Sequence, residues 1–274
     1  MPQQRSARRC VQEAYSMIEL DRIGFNWPEG PAVFKDLSLR VETGEKLVVL
    51  GANGCGKTTL LKLLNGLLFA TSGDYRYRGD PVTRQLVRSG PWANRFRREM
   101  VLLFQHPEAM LFNPTVADEI GYGPRQLGIP DSDKLIQEWA GRLGLQPLLE
   151  KAPYSLSGGE KKKVALAALL VLEPACLLLD EPIANLDPRS SGWVVDYLLA
   201  TEATVIITTH NLSMAAELGE RCLIMDEQGT LCFDGPVKQA LADMELLQQA
   251  NLVHRHQHRH GAISHSHPHV HDWE

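Results

Sequence analysis

Much of what defines other classes of protein is missing from this chain. No uninterrupted apolar run approaches the roughly 20 residues that a membrane-spanning helix needs. The nearest candidate, Val164 to Leu179, is interrupted by Glu173-Pro174, so any work at a membrane requires a partner that spans it. The five cysteines (Cys10, Cys55, Cys176, Cys222, Cys232) are scattered and form no C-x-x-C pair. That excludes a disulfide framework and suits a reducing cytosol. A basic excess is lacking too: the formal charge is -5, which argues against a dedicated nucleic-acid binder. Arg5, Arg8 and Arg9 have no apolar stretch behind them, so the N-terminus does not read as a secretory signal.

What remains is an ordinary globular composition, 44% hydrophobic and 22% charged over 274 residues, enough to bury a substantial core. Residues 1–14 are polar, basic and expected to fray. Ser16 to Arg22 and Val33 to Val41 alternate as half-buried strands, separated by a turn with Pro28, Gly30 and Pro31. Lys46 to Leu50 is a short apolar run between Gly44 and Gly51, the mark of a buried parallel strand. Leucines at helical spacing predict a helix over 58–68, and Tyr75 to Tyr77 with Gly79-Asp80-Pro81 a small antiparallel element. Met100 to Phe104 reads as another buried strand, and Leu135, Ile136, Trp139 and Leu143 share one helical face. Strands at 176–179, 205–209 and 221–225 then alternate with helices at 160–172 and 192–200. The alternation predicts an α/β fold with a mainly parallel sheet.

The chemistry concentrates in three places. Gly51-Ala52-Asn53-Gly54-Cys55-Gly56-Lys57-Thr58 matches G-x-x-x-x-G-K-[ST] between a strand and a helix. Its glycines let backbone N–H groups converge on nucleotide phosphates at a helix N-terminus, Lys57 reaches the β- and γ-phosphates, and the Thr58 hydroxyl suits Mg²⁺. Thr59 completes the loop, and Cys55 reads as a small residue within it, the alternative being a thiol whose pKa is lowered by the nearby helix N-terminus. The apolar strand ending in Asp180-Glu181 delivers two acids to the same sheet edge. There Asp180 would hold Mg²⁺ and Glu181 would polarise the attacking water.

The third place is Leu156-Ser157-Gly158-Gly159-Glu160, where Ser157 is a good N-cap and two glycine amides stand open to an anion. With Gln105, Asp187 and His210, these residues make the chain resemble the ABC ATPases over about residues 16 to 245. The resemblance implies a P-loop NTPase fold: a RecA-like sheet, a small antiparallel β subdomain and an inserted helical subdomain at about 107–165, all within 15–248. It implies ATP and Mg²⁺ as ligands, with Ser157, Gly158, Gly159 and Glu160 facing the γ-phosphate held by a second subunit. Gln105 would sense Mg²⁺ and the attacking water, His210 would touch the γ-phosphate, and Asp187 would cross the dimer interface. An aromatic should stack on the adenine; Trp27 is the choice and Phe25 the alternative.

The stretch from Phe104 to Val116, with Gly121-Tyr122-Gly123-Pro124, is similar to the energy-coupling-factor importers, which carry cobalt, nickel or vitamins. By that likeness two copies work on the cytoplasmic face of the cell membrane, and the segment after Gln105 receives the integral membrane subunits. The rivals are a vitamin importer, a soluble non-transport ABC ATPase and a metal store with an inactive nucleotide site. Loop and Ser-Gly-Gly segment each occur once and no heptad run exists, against the soluble types. Residues 249–274 hold His254, His256, His258, His260, His265, His267, His269 and His271. No packed core can be made from them, and as a disordered tail they offer imidazoles to Ni²⁺ or Co²⁺.

Overall fold

A computed structural model describes the backbone of residues 16–260 and 263–270 and the side chains of residues 16–253. The expected fraying of residues 1–14, and His271, lie outside the described residues. The first described elements are β1 (Ser16–Asn26) and β2 (Ala32–Glu42), a hairpin in which β2 buries alternate residues from Leu37 to Val41 while β1 buries consecutive ones, Ser16 to Ile18 and Ile23 to Phe25. Together with β4 (Ser72–Tyr77) and β5 (Asp80–Pro81) they form an antiparallel sheet of order β2-β1-β4-β5.

The second sheet carries the site. Its strands are β3 (Lys46–Gly51), β6 (Met100–Leu103), β7 (Cys176–Asp180), β8 (Thr204–Thr208), β9 (Arg221–Met225) and β10 (Leu231–Pro236), in the order β10-β9-β3-β8-β7-β6. All neighbours are parallel except the edge pair β10 and β9. Every residue of β6, β7 and β8 is buried, because helices or the other sheet cover both faces. Period-two alternation sorts the side chains into separate cores. Leu47 and Val49 pack with Leu178, Ile206 and the antiparallel sheet; Val48 and Leu50 face Ala215, Cys222 and Ile224.

The helices are α1 (Lys57–Leu64), α2 (Arg84–Arg88), α3 (Pro91–Glu99), α4 (Val116–Gln126), α5 (Ser132–Leu143), α6 (Gly158–Leu170), α7 (Pro188–Ala200), α8 (Leu212–Leu218), α9 (Val237–Ala242) and α10 (Met244–Gln249). Ile120, Ile136, Trp139 and Ala167, from α4, α5 and α6, close over Leu103, Leu177 and Leu179. The leucine spacing overextends α1. Its last turn ends at Leu64 with Asn65 as cap, because Gly66 takes φ +71 and Leu67 and Leu68 return their N–H groups to the Lys62 carbonyl. Leu67 is left exposed.

Two stretches are more regular than the sequence suggested. The Arg-rich segment that makes α2 and α3 hides its apolar face among cations; Ala93 and Phe96 are buried, with Phe96 against Tyr77 and Trp92. At the C-terminal end, Leu246, Leu247, Ala250, Leu252 and Val253 join the third core, so packing continues past the expected limit at 248. Beyond it, where a disordered tail was expected, the backbone forms a separate antiparallel ribbon of β11 (Val253–His260) and β12 (Ile263–Val270). The alternating H-x-H-x pattern has the period of a strand, which composition alone does not weigh.

Candidate functional site at the sheet edge

The register of the parallel sheet brings the chemistry together. Leu103 pairs with Leu179, Asp180 with Thr208, and Val49 with Thr208. The residues that follow these positions therefore emerge at one carboxyl edge: Gln105 after β6, Glu181 after β7, Thr209 and His210 after β8, and the phosphate loop after β3. Gly51 takes φ +155, and a Cβ there would lie 2.6 Å from Cys55 Sγ and 2.7 Å from the Met225 carbonyl. Only glycine lets the strand turn so tightly into the loop. Lys57 Nζ donates to the carbonyls of Gly51 at 2.6 Å and Ala52 at 3.0 Å, which holds the ammonium inside the loop.

Thr58 Oγ1 donates to Asp180 Oδ2 at 2.6 Å, and Thr208 Oγ1 donates to Oδ1 of the same carboxylate. A loop hydroxyl locked to a buried carboxylate is an all-oxygen donor set, and it fits Mg²⁺ better than a softer ion. Glu181 is buried and sits in the left-handed region at φ +48. Its Oε1 accepts from the His210 backbone N–H at 3.0 Å and meets His210 Nδ1 at 2.7 Å, while Oε2 accepts from Thr209 Oγ1 at 3.2 Å. An ionised carboxylate only accepts, so the imidazole proton stands on Nδ1 in this pair. The result is a carboxylate whose orientation is fixed on both oxygens and whose outer rim opens into the cleft.

That cleft has two lobes. One, of about 300 Å³, is lined by Asn53, Gly54, Gly56, Lys57, Thr58, Thr59, Gln105, Asp180 and Glu181. The other, of about 440 Å³, is lined by Gly51, Ala52, Asn53, Gln105, His210, Glu227, Asn251 and Leu252. Asn53 and Gln105 border both. Glu227 accepts from Asn251 Nδ2 at 2.8 Å, so the chain after α10 forms part of the wall.

A fold with a phosphate loop facing two strand-end acids is shared by several families, and the chain's likeness to known proteins decides among them. Residues 34–184 match the family model described as ABC transporter. The chain belongs to the ABC transporter ATP-binding family. A putative ABC transporter ATP-binding protein of Methanosarcina acetivorans is 37% identical over 249 residues, covering 88% of this chain and 90% of that protein. A nickel import ATP-binding protein, NikO, of Rhodobacter capsulatus is 38% identical, covering 86% and 95%. Among solved structures, cbiO1 of Clostridium perfringens, part of the ABC transporter complex cbiONQ, superposes with a TM-score of 0.71 at 29% identity, covering 88% of this chain and 96% of that one.

In this ABC ATPase the Ser-Gly-Gly segment stands apart from the phosphate loop; its residues line neither lobe. Ser157 caps α6 through a complete capping box: its Oγ accepts from Glu160 N–H, and Glu160 Oε2 accepts from Ser157 N–H at 2.8 Å. That bond from the Ser157 backbone, then the Ser157 hydroxyl, holds the Glu160 carboxyl below its ordinary range. A Cβ at Gly158 would meet nothing within 4 Å, while one at Gly159 would sit 2.8 Å from the Asn185 carbonyl. Asp187 caps α7, accepting from Ser190 N–H at 3.0 Å, and it lines neither of the loop's cavities.

Two aromatic and thiol expectations resolve differently. Phe25 is buried and Trp27 is 42% exposed, edge-on to it at 5.3 Å. Only Trp27 therefore presents a free ring, although it borders neither lobe. Cys55 is the small buried residue expected, and the alternative of a lowered thiol pKa is corrected. Burial pushes its thiol up, outweighing the opposite pull of the Lys57 charge, and the side chain works as a buried filler beside Gly51.

The sequence did not point to Thr208, Thr209 or Lys162. The two threonines end an apolar strand, and Thr-Thr-His was the visible signal. Lys162 carried none, because one lysine in Lys161-Lys162-Lys163 looks like its neighbours. It is 1% exposed, and its ammonium donates to the Glu181 carbonyl at 2.7 Å. Burial lowers its pKa, with the charges of Glu181, Asp180 and Glu108 opposing. The Glu181 carbonyl also accepts from Ala184 N–H at 3.3 Å, so Lys162 supplies the shorter of two hydrogen bonds that fix a residue in a left-handed conformation. Lys162→Met, nearly equal in length, should lower the thermal midpoint and reduce turnover more than ATP affinity. An unchanged turnover would show that Glu181 keeps its pose unaided.

Proposed function

We propose that this transporter ATPase subunit drives uptake of a divalent transition metal, nickel or cobalt. Two copies would form the working unit at the cytoplasmic face of a membrane. The observation that carries the catalytic reading is the Glu181 carboxylate, held on both oxygens by Thr209 and His210 at the mouth of the phosphate loop. In this reading Gly51, Asn53, Gly54, Cys55, Gly56, Lys57, Thr58 and Thr59 wrap the ATP phosphates, and Thr58, Asp180 and Gln105 hold Mg²⁺. That ion, when bound, neutralises phosphate charge. Glu181 orients and accepts a proton from the attacking water, and His210 and Gln105 steer the γ-phosphate and that water. Trp27 stacks on the adenine.

The half-site logic follows from the separation of Ser157 from the loop in one chain. The space beside the Gly158 Cα is open, since a Cβ there would meet nothing within 4 Å, and the capped end of α6 carries a partial positive charge. A second copy's γ-phosphate supplies the complementary charge, and Asp187 stands at the seam. For the membrane partner, Phe112 and Tyr122 stack edge-on at 5.0 Å with 68% and 44% of their surfaces exposed. Buried Glu119 pins that loop by accepting from Phe112 N–H at 3.1 Å and Asn113 N–H at 2.6 Å. An exposed aromatic pair on a fixed loop suits a helix end of a membrane subunit. Among the described residues no helix is long and apolar enough to cross a membrane.

The choice of cargo rests on likeness to the nickel import protein. The energy-coupling factor transporter ATP-binding protein EcfA of Methanothermobacter thermautotrophicus, 33% identical, carries no cargo in its name, so cargo needs its own test. Cells lacking the chain should lose most nickel or cobalt uptake and regain it with the intact chain but not with Glu181→Gln. Unchanged uptake of both metals would overturn the metal reading.

A further inference from the structure

A histidine-rich string with no fixed backbone offers its imidazoles in any combination. The ribbon of β11 and β12 does not. Its strands are antiparallel without a register shift, and the Cα partners are His254 with His269, His256 with His267, His258 with His265, and His260 with Ile263. Residues directly opposite share a face, as do residues two apart along a strand. Seven histidines therefore fall on one face of the ribbon. The other face receives Arg255, Gln257 and Arg259 with Ser264, Ser266 and Pro268, none of them a strong ligand for a transition metal.

We propose that this face is a divalent transition-metal site built from cross-strand histidine rungs. Opposite positions in an antiparallel pair have Cβ atoms about 4.5–5.5 Å apart, and successive rungs on one face are spaced by about 6.6–6.8 Å. One rung places two histidines at opposite positions of one face, and two adjacent rungs place four. Imidazole nitrogen suits Ni²⁺, Co²⁺, Zn²⁺ and Cu²⁺ and discriminates against the Mg²⁺ that accompanies ATP. An isolated two-stranded ribbon is marginal in water; an ion that binds only the paired strands stabilises the pairing. Metal binding and ribbon formation are thus one equilibrium.

The ribbon also has a defined root. Val253 is buried in the third core, and the two residues before it, Asn251 and Leu252, line the lobe that holds Gly51, Asn53, Gln105 and His210. The site therefore leaves the protein at the wall of the nucleotide cleft. It holds whatever the transported cargo is.

The register supplies a test that composition cannot pass. Six substitutions, His254→Arg, Arg255→His, His256→Gln, Gln257→His, His258→Arg and Arg259→His, preserve the histidine count but move three ligands to the opposite face and leave no cross-strand histidine rung. Titration of the full chain with Ni²⁺, and separately with Zn²⁺, should show binding that the scrambled chain loses by at least about tenfold, the loss expected when ligand geometry fails. His271→Ala, beyond the strands, should bind as the intact chain does. Equal affinity in the intact and scrambled chains would overturn the ladder in favour of a string that wraps the ion, and no binding by the intact chain would remove the site altogether. Metal uptake in cells is a separate readout, so loss of the importer reading would leave this result standing.

Discussion

Glu181→Gln will lower ATP turnover by about 100-fold or more, the lower end of what a positioned acid–base group contributes, while ATP stays bound. Glutamine has the same shape and keeps one oxygen to accept from the His210 and Thr209 side, where the carboxylate now accepts at 2.7 to 3.2 Å. What it loses is the basicity that, in the proposed role, takes a proton from water. The phosphate loop, with Lys57 held by the Gly51 and Ala52 carbonyls, is untouched. Phosphate release under saturating ATP, measured beside the bound nucleotide, separates the two. Turnover equal to that of the intact chain would remove Glu181 from the chemistry and leave it a structural residue of the β7 end.

The adjacent glycines of α6 should fail in different ways. Gly159→Ala places a methyl group 2.8 Å from the Asn185 carbonyl, a backbone atom that cannot step aside like a side chain. The start of α6 or the 182–187 segment must shift, with an overpacking cost of about 1–3 kcal/mol. Both stability and turnover should fall. Gly158→Ala meets nothing within 4 Å, so its thermal midpoint should match that of the intact chain. Its turnover should nevertheless fall by about tenfold or more, because its methyl would crowd the phosphate brought by a second copy, where a 1 Å misplacement is costly. ATP binding to a single chain should be normal in both, since neither residue borders the loop's cavities. If Gly158→Ala turns over ATP normally, that helix end does not meet a phosphate.

The sequence was most informative where a residue's role depends on its immediate neighbours. The phosphate loop needs a strand, glycines at fixed offsets and a helix, and all three are contiguous from Lys46 to Leu64. The strand ending in Asp180-Glu181 and the capping box at Ser157 and Glu160 are local in the same sense. Elements without a clear period were harder to see. In α3 cations surround the buried Phe96, and the short β10, α9 and α10 become regular only by covering Val48, Leu50 and Ile224. The leucine run past Leu64 misled for a complementary reason: periodicity continues through Leu67 and Leu68, but Gly66 turns the backbone out of the helix.

By itself, then, the sequence determined that this chain binds nucleotide phosphates, because backbone amides, a lysine and a hydroxyl can be specified by eight consecutive residues. It also determined the order of those strands and helices that have a clear period, since each is set over a few turns or pleats. Only the tertiary structure decided which distant groups share an edge. The pairing of Asp180 with Thr208, and of Val49 with Thr208, sets the Thr209 and His210 clamp on Glu181, and the packing of α6 sinks Lys162 beneath it. Strand order and register are long-range choices made by burying both faces of the parallel sheet. The same distinction holds at the ribbon: the sequence supplies the histidines, and the pairing of β11 with β12 puts seven of them on one side.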